Sequence, residues 1–260
     1  MAIVVRDVIL PYSQLRIPWW STPEKGLFAV VGPNGSGKSQ FFSLLMGTLK
    51  PQTGSVMRTT ARIGCVMQHP EHQLTETTVK EEILWPFKRV LRSGDPGFLS
   101  KLDAVMERWA LKSLWNQSPW TLSTGQKRRV ILAIYDLLDP DILLLDEPTE
   151  GLDGWWKNQL SLWLTTHEFS RLTLVISHDW PWMLSVITKG FWCEQVLKSQ
   201  PEDLGQLWYA HSLPTTNPLE QLWRELLTRN APVSLRAWID SQKAREEVVR
   251  LWRLQYPSVR

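Results

Sequence analysis

One octapeptide constrains this chain more than any other stretch: Gly32-Pro33-Asn34-Gly35-Ser36-Gly37-Lys38-Ser39. It follows the apolar, β-rich run at 27–31 and precedes Phe41-Phe42-Ser43-Leu44-Leu45-Met46, so it reads strand, glycine turn, helix. The spacing fits G-x-x-x-x-G-K-[ST] in the context that motif requires. Glycines let the backbone curl until successive N–H groups converge on phosphate oxygens, and the helix starting there adds its positive end. Lys38 then sets an ammonium against the β- and γ-phosphates, and the Ser39 hydroxyl is a ligand for Mg²⁺.

A second element follows the buried-type run at 142–145, which lacks polar alternation and suits a parallel strand covered on both faces. It ends in Asp146-Glu147. At the C-terminal edge of such a strand, Asp146 can hold Mg²⁺ and Glu147 can orient or deprotonate a water. The runs 61–67 and 172–176 read as further strands, and residues 1–26 as small antiparallel strands beside the main sheet. Thr78-Val79-Lys80-Glu81 has the pattern of a capping box, and helices are predicted near 99–112 and over about 124–138, the first preceded by a loop with Gly94, Pro96 and Gly97. Alternating strands and helices imply an α/β fold. Residues 70–137 read as an inserted helical subdomain. Helical spacing at 219–227 and 235–254 predicts a C-terminal helical extension over 196–260, with the main domain over 1–195.

Composition narrows the function classes. The formal charge is +3, from 29 Lys+Arg against 26 Asp+Glu, so charge gives no reason to expect a nucleic-acid partner. Cys65 and Cys193 are too few for a disulfide framework and read as buried free thiols. The N-terminal residues do not read as a signal peptide, and no stretch approaches the ~18 apolar residues that span a bilayer. The 16 Trp residues fit either interface anchors or a habit of filling core and surface sites with Trp.

In combination, these motifs resemble those of the ATP-binding cassette (ABC) ATPases, over about residues 3–195. Gln68 stands where that family has its Q-loop glutamine. Leu122-Ser123-Thr124-Gly125-Gln126 resembles the family signature, Gly151-Leu152-Asp153 the D-loop, and His178 the switch histidine, all in the family's order. The resemblance implies a P-loop core that binds ATP through Asn34, Gly35, Ser36, Gly37, Lys38, Ser39 and Gln40, with Tyr12 as the candidate for adenine stacking. It implies Mg²⁺ held by Ser39, Gln68 and Asp146, with Glu147 and His178 as catalytic residues. Two cassettes would pair head to tail, each ATP held by one P-loop and the other chain's signature (Ser123, Thr124, Gly125, Gln126), with Asp153 in the D-loop.

A finer likeness lies in Gln68-His69-Pro70-Glu71-His72-Gln73-Leu74, which resembles the Q-loop of energy-coupling factor and cobalt-importer ATPases. By that likeness the chain is the ATPase subunit of an importer for a vitamin or metal ion, peripheral on the cytoplasmic face of the membrane and contacting an integral subunit through the Q-loop and helical subdomain. A soluble cassette ATPase and a regulatory subunit that does not turn over remain the alternatives. Two departures stand out: Gln40 occupies the usual place of Thr, and Thr124 replaces the first signature glycine. They favour unequal sites and a non-identical partner cassette over a homodimer.

Overall fold

The computed structural model describes residues 3–210 apart from 24, 60, 94, 168 and 169. The helices predicted at 219–227 and 235–254 lie outside the described residues. Three strands, β1 (Ile3–Ile9), β2 (Arg16–Ser21) and β4 (Thr53–Arg58), form an antiparallel sheet in the order β2-β1-β4. The remaining six form the main sheet, β5-β6-β7-β3-β8-β9, from β3 (Gly26–Val31), β5 (Ile63–Val66), β6 (Ile142–Asp146), β7 (Leu172–Ile176), β8 (Lys189–Trp192) and β9 (Glu202–Asp203). All its pairings are parallel except β8 with β9.

The main sheet is sandwiched between two apolar cores, and β6 shows how. Ile142 and Leu144 face one core with Val5, Ile17 and Trp20 of the antiparallel sheet and Phe41, Phe42 and Leu45 of α1 (Lys38–Met46). Leu143 and Leu145 face the other, with helices α5 (Thr124–Leu138), α6 (Gly154–Thr166) and α7 (Trp180–Val186). Period-two alternation puts successive apolar residues on opposite faces, which is why the run 142–145 needs no polar residues.

Between β5 and β6 the described chain is helical: α2 (Val79–Leu84), α3 (Lys88–Ser93), α4 (Pro96–Arg108) and α5. Helix α4 starts earlier than the sequence suggests. Asp95 caps it through Gly97 N–H, and Pro96 takes the first helical position, where its missing N–H costs nothing. It also stops earlier, at Arg108, because Ala110 adopts φ +47°. The capping box expected at Thr78–Glu81 is half formed. Thr78 Oγ1 accepts from Glu81 N–H, but the Glu81 carboxylate turns to the Thr77 and Thr78 hydroxyls. Beyond residue 195, β9 pairs with β8, and Leu204, Leu207 and Trp208 of α8 (Leu204–Ala210) enter the core. The packing of the main body therefore continues at least to Trp208.

Candidate nucleotide site

Strands β5, β6, β7 and β3 are consecutive neighbours and parallel, so their C-terminal ends share one edge. β3 leads into the glycine-rich octapeptide, β5 into Gln68, β6 into Asp146 and Glu147, and β7 through Ser177 to His178. Ligands of open α/β sheets bind outside this edge. A cleft of about 300 Å³ there is lined by Asn34, Gly35, Gly37, Lys38, Ser39 and Gln40, and by Gln68, Asp146, Glu147, Ile176 and His178.

Gly37 caps α1 with φ +98°, and a Cβ added to it would lie 2.3 Å from Ser13 Oγ. Both backbone and space demand glycine. The Lys38 ammonium folds back onto the loop, donating to the carbonyl oxygens of Gly32 and Pro33 at 2.9 Å each. Burial pulls its pKa down, opposed in part by Glu147 and Asp146. Ser36 is turned away: its hydroxyl donates to Cys193 Sγ, 3.7 Å behind the loop. Both thiols are buried and free, and burial pushes Cys193 up to about 11 and Cys65 to about 12.

The two carboxylates are held differently. Burial raises the pKa of Asp146, while the neighbouring Ser39 hydroxyl and Lys38 ammonium oppose the rise. Glu147 has φ +52°, a left-handed conformation that costs a non-glycine residue about 1–3 kcal/mol and recurs at functional sites. Its N–H bonds to Ile176 O at 2.8 Å, and Oε2 accepts from Ser177 Oγ and His178 N–H at 3.1 Å each. Oε1 makes no hydrogen bond and lies 3.5 Å from His178 Nε2. Burial again raises the pKa, opposed first by the His178 amide. One oxygen is thus anchored and the other left without a hydrogen bond beside an exposed imidazole.

The other predicted residues lie outside this cleft's lining. Tyr12 is 78% exposed on the turn between β1 and β2. Ser123 to Gln126 open α5, where Ser123 and Gln126 form a complete capping box. Gly125 approaches the D-loop so closely that a Cβ on it would fall 2.4 Å from Gly151 O, and the Thr124 side chain lies against Gly151. Asp153 caps α6 by accepting from Trp156 N–H at 3.0 Å.

Three residues shape the site through bonds the motifs did not show, although Gln73 lies in the Q-loop stretch and Arg128 just after the signature. Arg128, fully buried on α5, donates to Met67 O and Gln68 O at 2.6 Å each. Gln73 closes the Q-loop by accepting from Met67 N–H at 2.8 Å and donating to Cys65 O at 2.7 Å. Glu82 of α2 accepts from Thr75 N–H and Glu76 N–H at 2.8 and 2.7 Å. A second cleft of about 330 Å³ opens beside this segment, bounded by Gln73, Thr75, Glu82, Trp85, Ile131 and Tyr135. Among the described residues no three or more His, Cys, Asp or Glu gather as a metal-binding group, and no helix is long and apolar enough to cross a membrane. His69 and His72 stand 5.3 Å apart between ring centroids.

A parallel sheet with a phosphate-type loop at one end and carboxylates on the neighbouring strand defines the P-loop class of α/β proteins. The particular family follows from comparison. The ABC transporter family model matches residues 19–150. An energy-coupling factor transporter ATP-binding protein of Clostridioides difficile is 32% identical over 204 residues, 68% of this chain and 70% of that protein. The corresponding protein of Leuconostoc mesenteroides is 35% identical over 182 residues, 63% of this chain and 64% of its own length. A putative HMP/thiamine import ATP-binding protein of Bacillus subtilis is 36% identical over 147 residues, 52% of this chain but 26% of that protein. This chain belongs to the ABC transporter family. The match thus spans under two thirds of the length of the Leuconostoc relative and about a quarter of the Bacillus one. The fold agrees: CbiO1 of Clostridium perfringens, described as part of an ABC transporter complex, superposes with TM-score 0.65 at 21% identity, over 88% of this chain and 95% of that one. A dimeric cassette in a post-hydrolysis state with ADP and phosphate gives TM-score 0.65 at 21% identity, over 78% and 98%.

Proposed function

We propose that this chain binds and hydrolyses ATP to power a membrane importer of the energy-coupling factor type, for a vitamin or a metal ion. The observation that carries the proposal is the convergence of Lys38, Ser39, Gln68, Asp146, Glu147 and His178 on one cleft. The glycine-rich amides and Lys38 hold the triphosphate, and the free oxygen of Glu147 takes a proton from the attacking water. His178 donates toward the γ-phosphate. Hydroxyl, amide and carboxylate oxygens at Ser39, Gln68 and Asp146 suit Mg²⁺, which prefers few protein ligands completed by phosphate oxygens. Bound there, the cation neutralises charge on the phosphates.

In this reading the exposed signature completes the site of a second cassette in a head-to-tail dimer. Ser123 already accepts one bond as a helix cap. Its hydroxyl proton is still available to a partner's γ-phosphate. The cassette would sit on the cytoplasmic face of the membrane, with the integral subunit contacting the cleft between the Q-loop and α5. A non-identical partner cassette is favoured by Gln40 and Thr124. The HMP/thiamine import named for the Bacillus relative makes a vitamin precursor one candidate cargo. Glu147→Gln tests the assignment: turnover falls by at least about 100-fold while ATP stays bound and dimers accumulate, read by phosphate release and gel filtration. Unchanged turnover would remove Glu147 from its role.

A further inference from the structure

Gln40 lines the cleft, yet its side-chain carbonyl reaches away from the phosphate loop. Oε1 accepts from both Ser13 N–H and Ser13 Oγ, each at 3.3 Å. Ser13 belongs to the turn between β1 and β2, next to the exposed Tyr12. The turn is seated directly on the phosphate loop, since a Cβ on Gly37 would meet Ser13 Oγ at 2.3 Å and Leu15 Cβ at 3.3 Å. Ser13 Oγ also accepts from Leu15 N–H at 3.4 Å, so its one proton is committed to Gln40. Within itself the turn is closed by a backbone bond, Leu10 N–H to Leu15 O at 3.0 Å, and by Gln14 Nε2 donating to Pro11 O at 3.0 Å. A threonine at position 40 carries its hydroxyl on Cβ, two carbons short of the glutamine carbonyl carbon, and cannot span to Ser13 in the same way.

We propose that Gln40 is a positioning residue that fastens the turn carrying Tyr12 to the phosphate loop and thereby sets affinity for the nucleoside end of the nucleotide rather than for its phosphates. The inference rests on the ATP reading above and on Tyr12 as the adenine-stacking residue that the family resemblance implies. It also gives the departure from threonine a use of its own, separate from the phosphate chemistry that Lys38 and the loop amides serve.

The experiment compares equilibrium binding of ATP and of inorganic tripolyphosphate, which shares the phosphates and lacks the nucleoside, in the full chain and in Gln40→Met. Methionine keeps the length of the side chain and removes the acceptor. ATP affinity falls about fivefold, as expected for one or two modest hydrogen bonds, while tripolyphosphate affinity stays within about twofold. Ser13→Ala removes one of the two donors and moves ATP affinity the same way by less. Retained tripolyphosphate binding shows that the variant loop is folded. Equal weakening of both ligands, or unchanged ATP binding, overturns the proposal. A wild-type chain that binds tripolyphosphate but not ATP overturns the ATP reading and this inference with it.

Discussion

Helices α1 and α5 both aim an N-terminus at the place where a phosphate is expected, and they are finished in opposite ways. No side chain caps α1: its N-cap is Gly37, and the first-turn residues Lys38, Ser39 and Gln40 line the cleft. Helix α5 is closed by its own capping box, Gln126 N–H to Ser123 Oγ at 3.3 Å and Ser123 N–H to Gln126 Oε1 at 2.9 Å. A side-chain cap is worth about 1 kcal/mol, so α1 forgoes stability that a bound anion can return. Helix α5 keeps that stability and presents a hydroxyl on an exposed corner. The difference fits a loop that holds its own chain's nucleotide and a signature that meets another's.

Arg128 joins the two regions, and removing it gives the largest expected effect. It runs from α5 to the carbonyls of the Q-loop, fully buried, with Glu150 at 3.7 Å as its nearest carboxylate. Arg128→Met removes two charge-assisted hydrogen bonds and destabilises the chain by about 3 kcal/mol, read by urea denaturation. Hydrogen exchange at Met67, whose amide is closed by Gln73, rises with it. A variant as stable as the parent would mean that cleft and corner are independent.

Gly125→Ala breaks the corner alone. The added Cβ meets the backbone oxygen of Gly151 at 2.4 Å, and backbone yields less readily than a flexible side chain. A cost of about 1–3 kcal/mol is expected, with faster exchange confined to the D-loop at 151–153 and nucleotide binding in the Lys38 cleft retained. Loss of ATP binding by the isolated variant would show that the two regions are not separable in this way.

What could be read in advance divides along chemical lines. The octapeptide was legible because its residues are contiguous and their conformations local. Asp146 and Glu147 were legible because 142–145 announces a strand buried on both faces. Strand β4 was not, because it pairs at the rim of the antiparallel sheet and most of its residues are exposed, leaving no apolar pattern. The start of α4 was hidden because Pro96 and Gly97 read as breakers, and only with Asp95 as the cap do they open a helix. Arg128, Gln73 and Glu82 act through side-chain bonds to backbone groups. Such bonds leave no periodicity in a sequence. The S-x-x-Q pattern at Ser123–Gln126 was open to the same capping rule applied to Thr78, and it is the box that forms in full.

The smallest effect discriminates most sharply, because Ser123 has two separable tasks. As a cap, Ser123→Ala costs about 1 kcal/mol, whereas Ser123→Asp costs almost nothing because aspartate caps as well as serine. As a donor to a partner's phosphate, the ranking reverses: alanine merely loses a bond, while aspartate brings a negative charge to an anion. The expected pattern is therefore an alanine variant that melts earlier and an aspartate variant that melts with the parent but loses turnover in the assembled cassette pair. ATP binding to the variant's own P-loop stays at the parent level in both. If the aspartate variant turns over as the parent does, the α5 N-terminus meets no phosphate, and the two helix ends differ for reasons of folding alone.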